Sequence, residues 1–174
     1  MRAYIGTYAK YSAGSLAGGW LDLSDFAGDM DLFLDAARAL HPDESDPELM
    51  VQDWDYSDNP PKCILGESIT QAALDYAALK WDERDLVSAW IDITGGARPL
   101  DIAGELDSAG NAFRGVYRDE GEAAREIVTE HLEADMGKVP DWLVIDYETT
   151  WRCNVRHDYT AAESGGQFWV FSIY

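Results

Sequence analysis

The chain of 174 residues carries 33 Asp and Glu against 13 Lys and Arg, which gives a net charge of -20. This charge argues against direct binding of nucleic acid, because neutralising phosphates requires a basic face; a basic partner is the natural complement. Hydrophobic residues make up 47% of the chain, with seven Trp and nine Tyr, so the composition excludes an acidic disordered tail and predicts a folded core.

The cysteines and the first residues indicate the compartment. Cys63 and Cys153 lie ninety residues apart without the spacing of a metal site, which is typical of free cytosolic thiols. The opening MRAYIGTYAK lacks the apolar segment of a signal peptide, and no run approaches the ~18 apolar residues of a membrane span. We therefore expect a soluble, cytoplasmic protein.

The first sixty residues predict a three-stranded sheet with one helix. Residues 2–9 and 18–23 are rich in strand formers and flank a Ser/Gly-rich turn, so they predict two paired strands. Ser24 can cap a helix that runs to about Leu40, where His41-Pro42 stops it. Residues 49–56 then predict a third strand, which completes a ββαβ unit.

The middle of the chain predicts a helical unit. Asn59-Pro60-Pro61 is a linker signal, since proline removes a backbone donor and keeps its predecessor extended. Three short helices are expected beyond it: residues 69–79 capped by Ser68, residues 83–93 capped by Asp82, and residues 100–107 opened by Pro99, with Gly95-Gly96 and Ala109-Gly110 as separators.

The last third predicts another sheet with helices. A strand is expected at residues 112–117, a helix from Arg118 to about Gly137, and a short helix from Pro140 to Asp146. A hairpin of residues 156–162 and 167–173 turns at Gly165-Gly166, and its last strand is apolar on both faces, which favours burial. The fold class is therefore α+β, with three small domains expected at residues 1–60, 61–110 and 111–174.

The helix that begins near Arg118 carries more carboxylates than solubility requires. At ~100° per residue, Glu122, Glu126, Glu130 and Glu133 fall in one stripe, opposite an apolar face around Ile127. Successive carboxylates three or four residues apart lie roughly 5 to 6 Å from each other, a spacing close to that of phosphates along a DNA strand. An ordinary solvated helix face is the alternative interpretation of this stripe alone.

Carboxylates also occur in every other section of the chain, as a coat rather than a pocket. One chain's 33 acids match the charge of about 56 Å of duplex at one charge per ~1.7 Å. The predicted acidic surface outside the helix comprises Asp25, Asp29, Asp31, Asp35, Asp43, Glu44, Asp46, Glu48, Asp53, Asp55, Asp75, Asp82, Glu83, Asp85, Asp101, Glu105 and Asp107. The helix itself contributes Asp119, Glu120, Glu122, Glu126, Glu130, Glu133 and Asp135.

The sequence offers no constellation of catalytic residues, so we predict that the protein is not an enzyme. Ser164 sits in a sequence that loosely resembles a nucleophile elbow, but no histidine follows it, and a hairpin turn is the better interpretation. The pairs Asp29/Asp31 and Asp53/Asp55 could hold Mg²⁺, yet no phosphate-binding glycine loop accompanies them. No metal or cofactor is expected.

The chain resembles the ArdA family of antirestriction proteins over nearly its whole length. The resemblance rests on YIGTYAKYSAGSLAGGWLDL at residues 4–23, on residues 53–56, and on the acidic helix of residues 119–135 followed by GKVPDWLVIDY at residues 137–147. It departs at TTWRCNV, residues 149–155, where the family pattern ends in an Arg-Asp pair and Asn154 does not supply the acid.

The resemblance implies a function by imitation of DNA. It implies an elongated three-domain protein of mobile elements, dimeric through its C-terminal domain, whose surface carboxylates imitate the phosphates of bent DNA. The implied partners are the DNA-recognition and methylase subunits of type I restriction-modification enzymes, and the acidic helix matches the antirestriction motif. Two alternatives stay open: an acidic binding module or chaperone for another basic protein, and a metal-dependent hydrolase.

Overall fold

The computed structural model describes residues 1–96, 98–132, 140 and 143–173. Two three-stranded antiparallel sheets, one at each end of the chain, are joined by helices, so the predicted α+β class with a helical middle is confirmed. Among the described residues, no helix has the length and apolar character needed to cross a membrane.

The N-terminal sheet has the strand order β2-β1-β3, with β1 (Arg2–Thr7), β2 (Gly19–Asp22) and β3 (Leu49–Asp55). Both neighbours of the central strand run antiparallel to it, and β1 shifts register against β3 between Tyr4 and Ile5. The strand expected to reach Ala9 instead ends at Thr7, whose side chain caps a short helix, α1 (Tyr8–Ser12).

The helix between β2 and β3 begins later than predicted. Residues Leu23–Phe26 form one 3-10 turn, after which Ala27 takes a left-handed conformation. The α-helix α2 (Met30–Ala39) is capped by Asp29, whose carboxylate accepts from the Leu32 N–H at 3.0 Å. Asp29 caps the helix in place of Ser24 because Ala27 and Gly28 have positive φ values, which end any helix that begins at Ser24.

Three helices form the middle of the chain: α3 (Gln71–Ala78), α4 (Trp81–Thr94) and α5 (Ile102–Ala112). Each predicted helix exists, but none starts where its predicted cap would place it. Thr70 caps α3, the Glu83 carboxylate accepts from the Lys80 N–H at 2.9 Å at the start of α4, and Asp101 caps α5. The helix α5 also continues through Gly110, which the sequence suggested as a separator.

The C-terminal sheet has the order β4-β6-β5, with β4 (Phe113–Tyr117), β5 (Tyr159–Ser164) and β6 (Gln167–Ser172). The central strand β6 is buried from Phe168 to Phe171, as its apolar sequence predicts. The hairpin turn is also confirmed, with Gly165 and Gly166 at φ of 60° and 74°, a conformation that glycine adopts without strain.

Two helices accompany this sheet: α6 (Glu120–His131) and α7 (Tyr147–Cys153). The predicted end of α6 at Gly137 lies outside the described residues. The helix predicted from Pro140 to Asp146 is wrong at residues 143–146, which are not helical; Asp146 instead caps α7. The sequence pattern did not indicate α7, because a helix was expected to start at Pro140 and end at Asp146, where the cap of α7 lies.

The helix α4 contributes to two hydrophobic clusters. Val87 and Ile91 belong to the cluster that also contains core residues of the N-terminal sheet, α2, α3 and α5, whereas Ala89 belongs to a cluster with Trp169 and Phe171 of the C-terminal sheet. A helix buried on two sides joins its neighbours through close-packed contacts. The elongated shape and the three domain ranges stay predictions.

Candidate functional site

The candidate site is a distributed surface of carboxylates. Of the twenty-two predicted acidic residues that the structure describes, fifteen are exposed, six are half-buried and one, Glu105, is buried. The half-buried residues are Glu44, Asp75, Glu83, Asp85, Glu120 and Glu122. The other two predicted residues, Glu133 and Asp135, lie outside the described residues.

Most of this surface is not neutralised from within the molecule. Seven of the predicted residues form an ion pair, namely Asp35, Asp43, Glu44, Asp55, Glu83, Asp119 and Glu120. The ones without an ion pair in the described part of the chain are Asp25, Asp29, Asp31, Asp46, Glu48, Asp53, Asp75, Asp82, Asp85, Asp101, Asp107, Glu122, Glu126 and Glu130. Thirteen basic residues cannot pair with 33 acids, so a large excess of charge has no counterpart in the chain.

Local structure explains why several carboxylates have fixed positions. Asp29, Asp101 and Asp119 are N-caps, each accepting a hydrogen bond from a backbone N–H in the first turn of its helix. These bonds orient the carboxylate, and the positive end of the helix dipole stabilises its charge. The charge itself still faces solvent, since all three residues are exposed. The caps at Asp29 and Asp101 therefore provide anchored charges without an ion pair among the described residues, whereas Asp119 is anchored and also paired with Arg118.

The helix α6 displays the predicted stripe as far as the structure describes it. Ala123, Ala124 and Ile127 are buried against the C-terminal sheet, while Glu126 and Glu130 are exposed. Arg125, which lies next to Glu126 in the same helix, forms no ion pair with any described residue. One face of the helix is thus core and the other carries uncompensated charge.

The pKa of Tyr117, in β4, is affected by the charges of the acidic stripe on α6. Burial raises the pKa of the Tyr117 phenol, and the charges of Glu126, Glu130 and Glu122 raise this pKa further by opposing a second negative charge nearby. Glu122 is held in place because its carboxylate accepts from the Arg118 N–H at 2.7 Å. The arrangement concentrates negative potential along this face of the C-terminal unit.

The structure removes one residue from the predicted acidic surface and adds four others. Glu105 does not belong to the exposed surface: it is 7% exposed and its carboxylate accepts from Trp90 Nε1 at 3.0 Å. Ile102 and Ala109, three and four residues away on the same face of α5, are also buried, so helical spacing could have revealed this. Conversely, the predicted set omitted the exposed acids Asp146, Glu148, Asp158 and Glu163 of the C-terminal unit.

The segment of residues 149–155, which departs from the family pattern, is integrated into the C-terminal unit. It lies mostly in α7, where Trp151 is buried beside Phe168 with ring centroids 5.3 Å apart. Arg152 Nε donates to the Glu120 carboxylate of α6 at 2.9 Å. The segment thus packs α7 against both the sheet and the acidic helix.

Ser164 and the two aspartate pairs were considered above as catalytic or metal-binding groups, and their surroundings in the described part of the chain are as follows. Ser164 is the last residue of β5, and its carbonyl accepts from Trp169 Nε1 at 3.2 Å. In the described ranges, no three His, Cys, Asp or Glu side chains come together as a metal site, so the pairs Asp29/Asp31 and Asp53/Asp55 remain isolated.

The fold and this surface together define an α+β protein with an excess of outward-facing carboxylates, several of them anchored as helix caps. The model of the antirestriction protein family ArdA matches residues 3–166, which is nearly the whole chain, so the protein belongs to the ArdA family of antirestriction proteins. Curated proteins provide no match to the chain.

Proposed function

We propose that this protein is a DNA mimic that occupies the DNA-binding groove of type I restriction-modification enzymes and thereby protects unmodified DNA. The observation that carries the proposal is the excess of exposed carboxylates that form no ion pair in the described part of the chain. A groove lined with Lys and Arg for phosphates would meet the same charge on this surface. The protein would act by binding, without a catalytic step.

The mechanism is competition helped by preorganisation. Duplex DNA must be bent to follow its enzyme, at a cost on the order of 1 to 6 kcal/mol. Here the caps at Asp29, Asp101 and Asp119 orient their carboxylates, and α4 contributes residues to hydrophobic clusters that include both sheets. A surface already held in shape avoids much of the deformation that DNA undergoes. A homodimer, formed through the C-terminal unit, would double the length of the imitated duplex.

A binding competition tests the proposal. A labelled duplex carrying the recognition sequence is bound to the DNA-recognition and methylase subunits of a type I enzyme, and the purified protein is titrated in. We expect complete displacement that weakens as NaCl rises from 50 to 300 mM, because many ion pairs form at once. Poly-aspartate at the same total charge is the control for charge without shape, and we expect it to displace the duplex far more weakly.

The same design separates the proposal from the alternative of an acidic chaperone for an unrelated basic protein. A chaperone would bind basic proteins such as histones as tightly as the restriction subunits and would not exclude the duplex. Failure to displace DNA at low salt would refute the mimic. In cells, expression of the protein should raise the plating efficiency of unmodified phage on a host with type I restriction.

A further inference from the structure

The N-terminal sheet has two faces of opposite character. Residues that pair across its strands share a face, and residues two apart along a strand share it too. Leu21, Ala3 and Trp54 pair across the three strands, and all of them pack into the larger hydrophobic cluster. The residues that alternate with these three therefore point away from the core.

The outward residues form two rows across the sheet. We call the set the outer face: Trp20, Tyr4 and Asp53 in one row, and Asp22, Arg2 and Asp55 in the next. It combines two aromatic rings and three carboxylates with one basic side chain, Arg2, and the N-terminal ammonium of Met1 lies 3.8 Å from Asp22. Trp20 is 41% exposed, and exposed Trp beside Tyr is unusual on a free surface but common at the centre of protein interfaces.

The contacts of Arg2 show that the outer face can bind a guanidinium group. The Arg2 guanidinium forms an ion pair with Asp55, and its central carbon lies 5.6 Å from the centroid of the Trp20 ring. A carboxylate that binds the edge of a guanidinium while an aromatic ring covers its face is a favourable arginine site. The protein thus fills one such site with its own side chain.

The neighbouring row contains the same two elements without a cation. Tyr4 lies directly between Trp20 and Asp53, with the Tyr4 and Trp20 ring centroids 5.3 Å apart. The Tyr4 hydroxyl donates to the Leu16 carbonyl at 2.9 Å, which holds the ring in place. Asp53 is exposed and has no ion pair within the described residues; its carboxylate accepts from the Trp54 N–H at 2.8 Å.

Resting on the proposed function, we propose that the outer face binds an arginine side chain of the target enzyme's basic groove, with Asp53 as its carboxylate partner and the Tyr4 and Trp20 rings as its apolar walls. Arginine fits better than lysine, since a planar guanidinium can stack on a ring and present its N–H groups to a carboxylate at once. Phosphate mimicry by charge alone needs no aromatic ring, so this contact would add specificity to a surface that otherwise attracts any basic groove.

Two matched pairs of variants test the inference in the competition assay with the type I subunits. The first pair compares Trp20→Leu with Trp81→Leu, which removes a second exposed Trp, 58% exposed, at the start of α4. We expect Trp20→Leu to weaken inhibition about fivefold, as for loss of one partly desolvated cation–π contact, and Trp81→Leu to change it by less than about twofold.

The second pair compares Arg2→Gln with Arg38→Gln. Both remove one positive charge, both side chains are about half exposed (52% and 53%), and both free one carboxylate, Asp55 or Asp35. General attraction to a basic groove would strengthen equally in the two variants. We expect Arg2→Gln to strengthen inhibition about threefold more than Arg38→Gln, because it removes the internal cation from the Trp20 ring, which is a wall of the proposed site.

The outcomes are distinct. Equal effects within both pairs, with displacement of the duplex intact, would overturn the arginine site and leave the mimic standing. A change of oligomeric state in Trp20→Leu, measured by analytical ultracentrifugation, would also overturn it and assign the outer face to self-association. Absence of displacement by the unmodified protein would instead refute the proposed function. Circular dichroism verifies that each variant is folded. If Trp20→Leu does not fold, the comparison of Arg2→Gln with Arg38→Gln tests the proposed arginine site by itself.

Discussion

Arg84 and Asp58 form a buried ion pair, with Nη1 3.4 Å from Oδ2 and side chains 14% and 2% exposed. Arg84 belongs to α4, and Asp58 to the segment that follows β3. The guanidinium also donates to the carbonyls of Leu79, at 3.1 Å, and Ala77. One carboxylate of this acidic chain is thus used internally, to tie the end of the N-terminal sheet to the central helix.

The first prediction concerns this ion pair. Asp58→Asn should lower the free energy of unfolding by about 3 kcal/mol, because it leaves the Arg84 charge buried without its partner. Urea denaturation followed by circular dichroism measures the change. Asp46→Asn, at an exposed residue with no ion pair in the described chain, is the control and should stay within about 0.5 kcal/mol of the unmodified protein. Equal stability of the two variants would contradict the buried role of Asp58.

A second prediction uses Tyr117 to report the charge of the acidic helix. Its pKa is raised first by burial and then by Glu126, Glu130 and Glu122. The double variant Glu126→Gln, Glu130→Gln should lower the Tyr117 pKa while leaving it above the ordinary value, since burial persists. Titration followed by NMR of the ring Cζ carbon measures this shift, and Tyr8, whose pKa is raised chiefly by Glu67, is an internal control.

The sign of the matching stability effect follows from the raised pKa. A phenol that holds its proton more tightly in the folded state contributes stability that is complete below the unfolded pKa, about 10. That contribution is lost as pH rises through the folded pKa. We therefore expect the unmodified protein to lose more stability above pH ~10 than the double variant, in which the folded pKa is lower.

A third prediction concerns the cap of the unpredicted helix α7. The Asp146 carboxylate accepts from the Thr149 N–H at 3.0 Å and from the Thr149 hydroxyl at 2.8 Å, and these bonds lower the pKa of Asp146. Asp146→Ala should lower the melting temperature at pH 7. Because the pKa is depressed in the folded state, this stabilisation is present above the unfolded pKa of ~3.9 and disappears as pH falls through the folded value.

The control for this cap is Asp146→Asn, since asparagine caps nearly as well as aspartate. It should preserve most of the melting temperature at pH 7 and show little change on acidification. A melting temperature of Asp146→Ala equal to that of the unmodified protein would mean that α7 does not depend on its cap.

A fourth prediction separates Glu105 from its neighbour Asp107. Glu105→Ala should destabilise the protein by about 1 to 3 kcal/mol, because Trp90 Nε1 loses its buried acceptor. Asp107→Ala, on the exposed side of the same helix, should change stability by no more than about 0.5 kcal/mol. Paired urea denaturation curves test both, and comparable destabilisation by the two substitutions would place Asp107 in the core as well.

Sequence patterns indicated most helices and strands but not α1 or α7, and they did not fix where the elements begin and end. The alternation and turn signals around β1, β2 and β3 were sufficient because a sheet face that packs on a core imposes its period on the sequence. The predicted first residues of helices were wrong where two candidate start signals lay close together. Asp29 caps α2 in place of Ser24, and Asp101 caps α5, which does not begin at Pro99. A cap is worth only about 1 kcal/mol, so packing of the following helix decides which residue is used.

Some features of the candidate site could likewise be predicted from the sequence, and others could not. Sequence alone indicated Glu126 and Glu130 as exposed, because an amphipathic helix must turn its apolar side inward. It could not indicate that Asp58 turns inward to Arg84, since these residues meet only through the packing of β3's end on α4. Nor could it show that Tyr4 and Asp53 lie side by side, which depends on strand register.

The amino-acid sequence by itself determined the excess of negative charge, the α+β class and the amphipathic character of the acidic helix, because composition and periodicity are properties of the chain read in order. Only the tertiary structure decided which carboxylates remain unpaired, which are buried, and which stand beside aromatic rings. Those outcomes depend on pairs of residues distant in sequence, and folding alone brings such pairs within the few ångströms over which ion pairs and hydrogen bonds act.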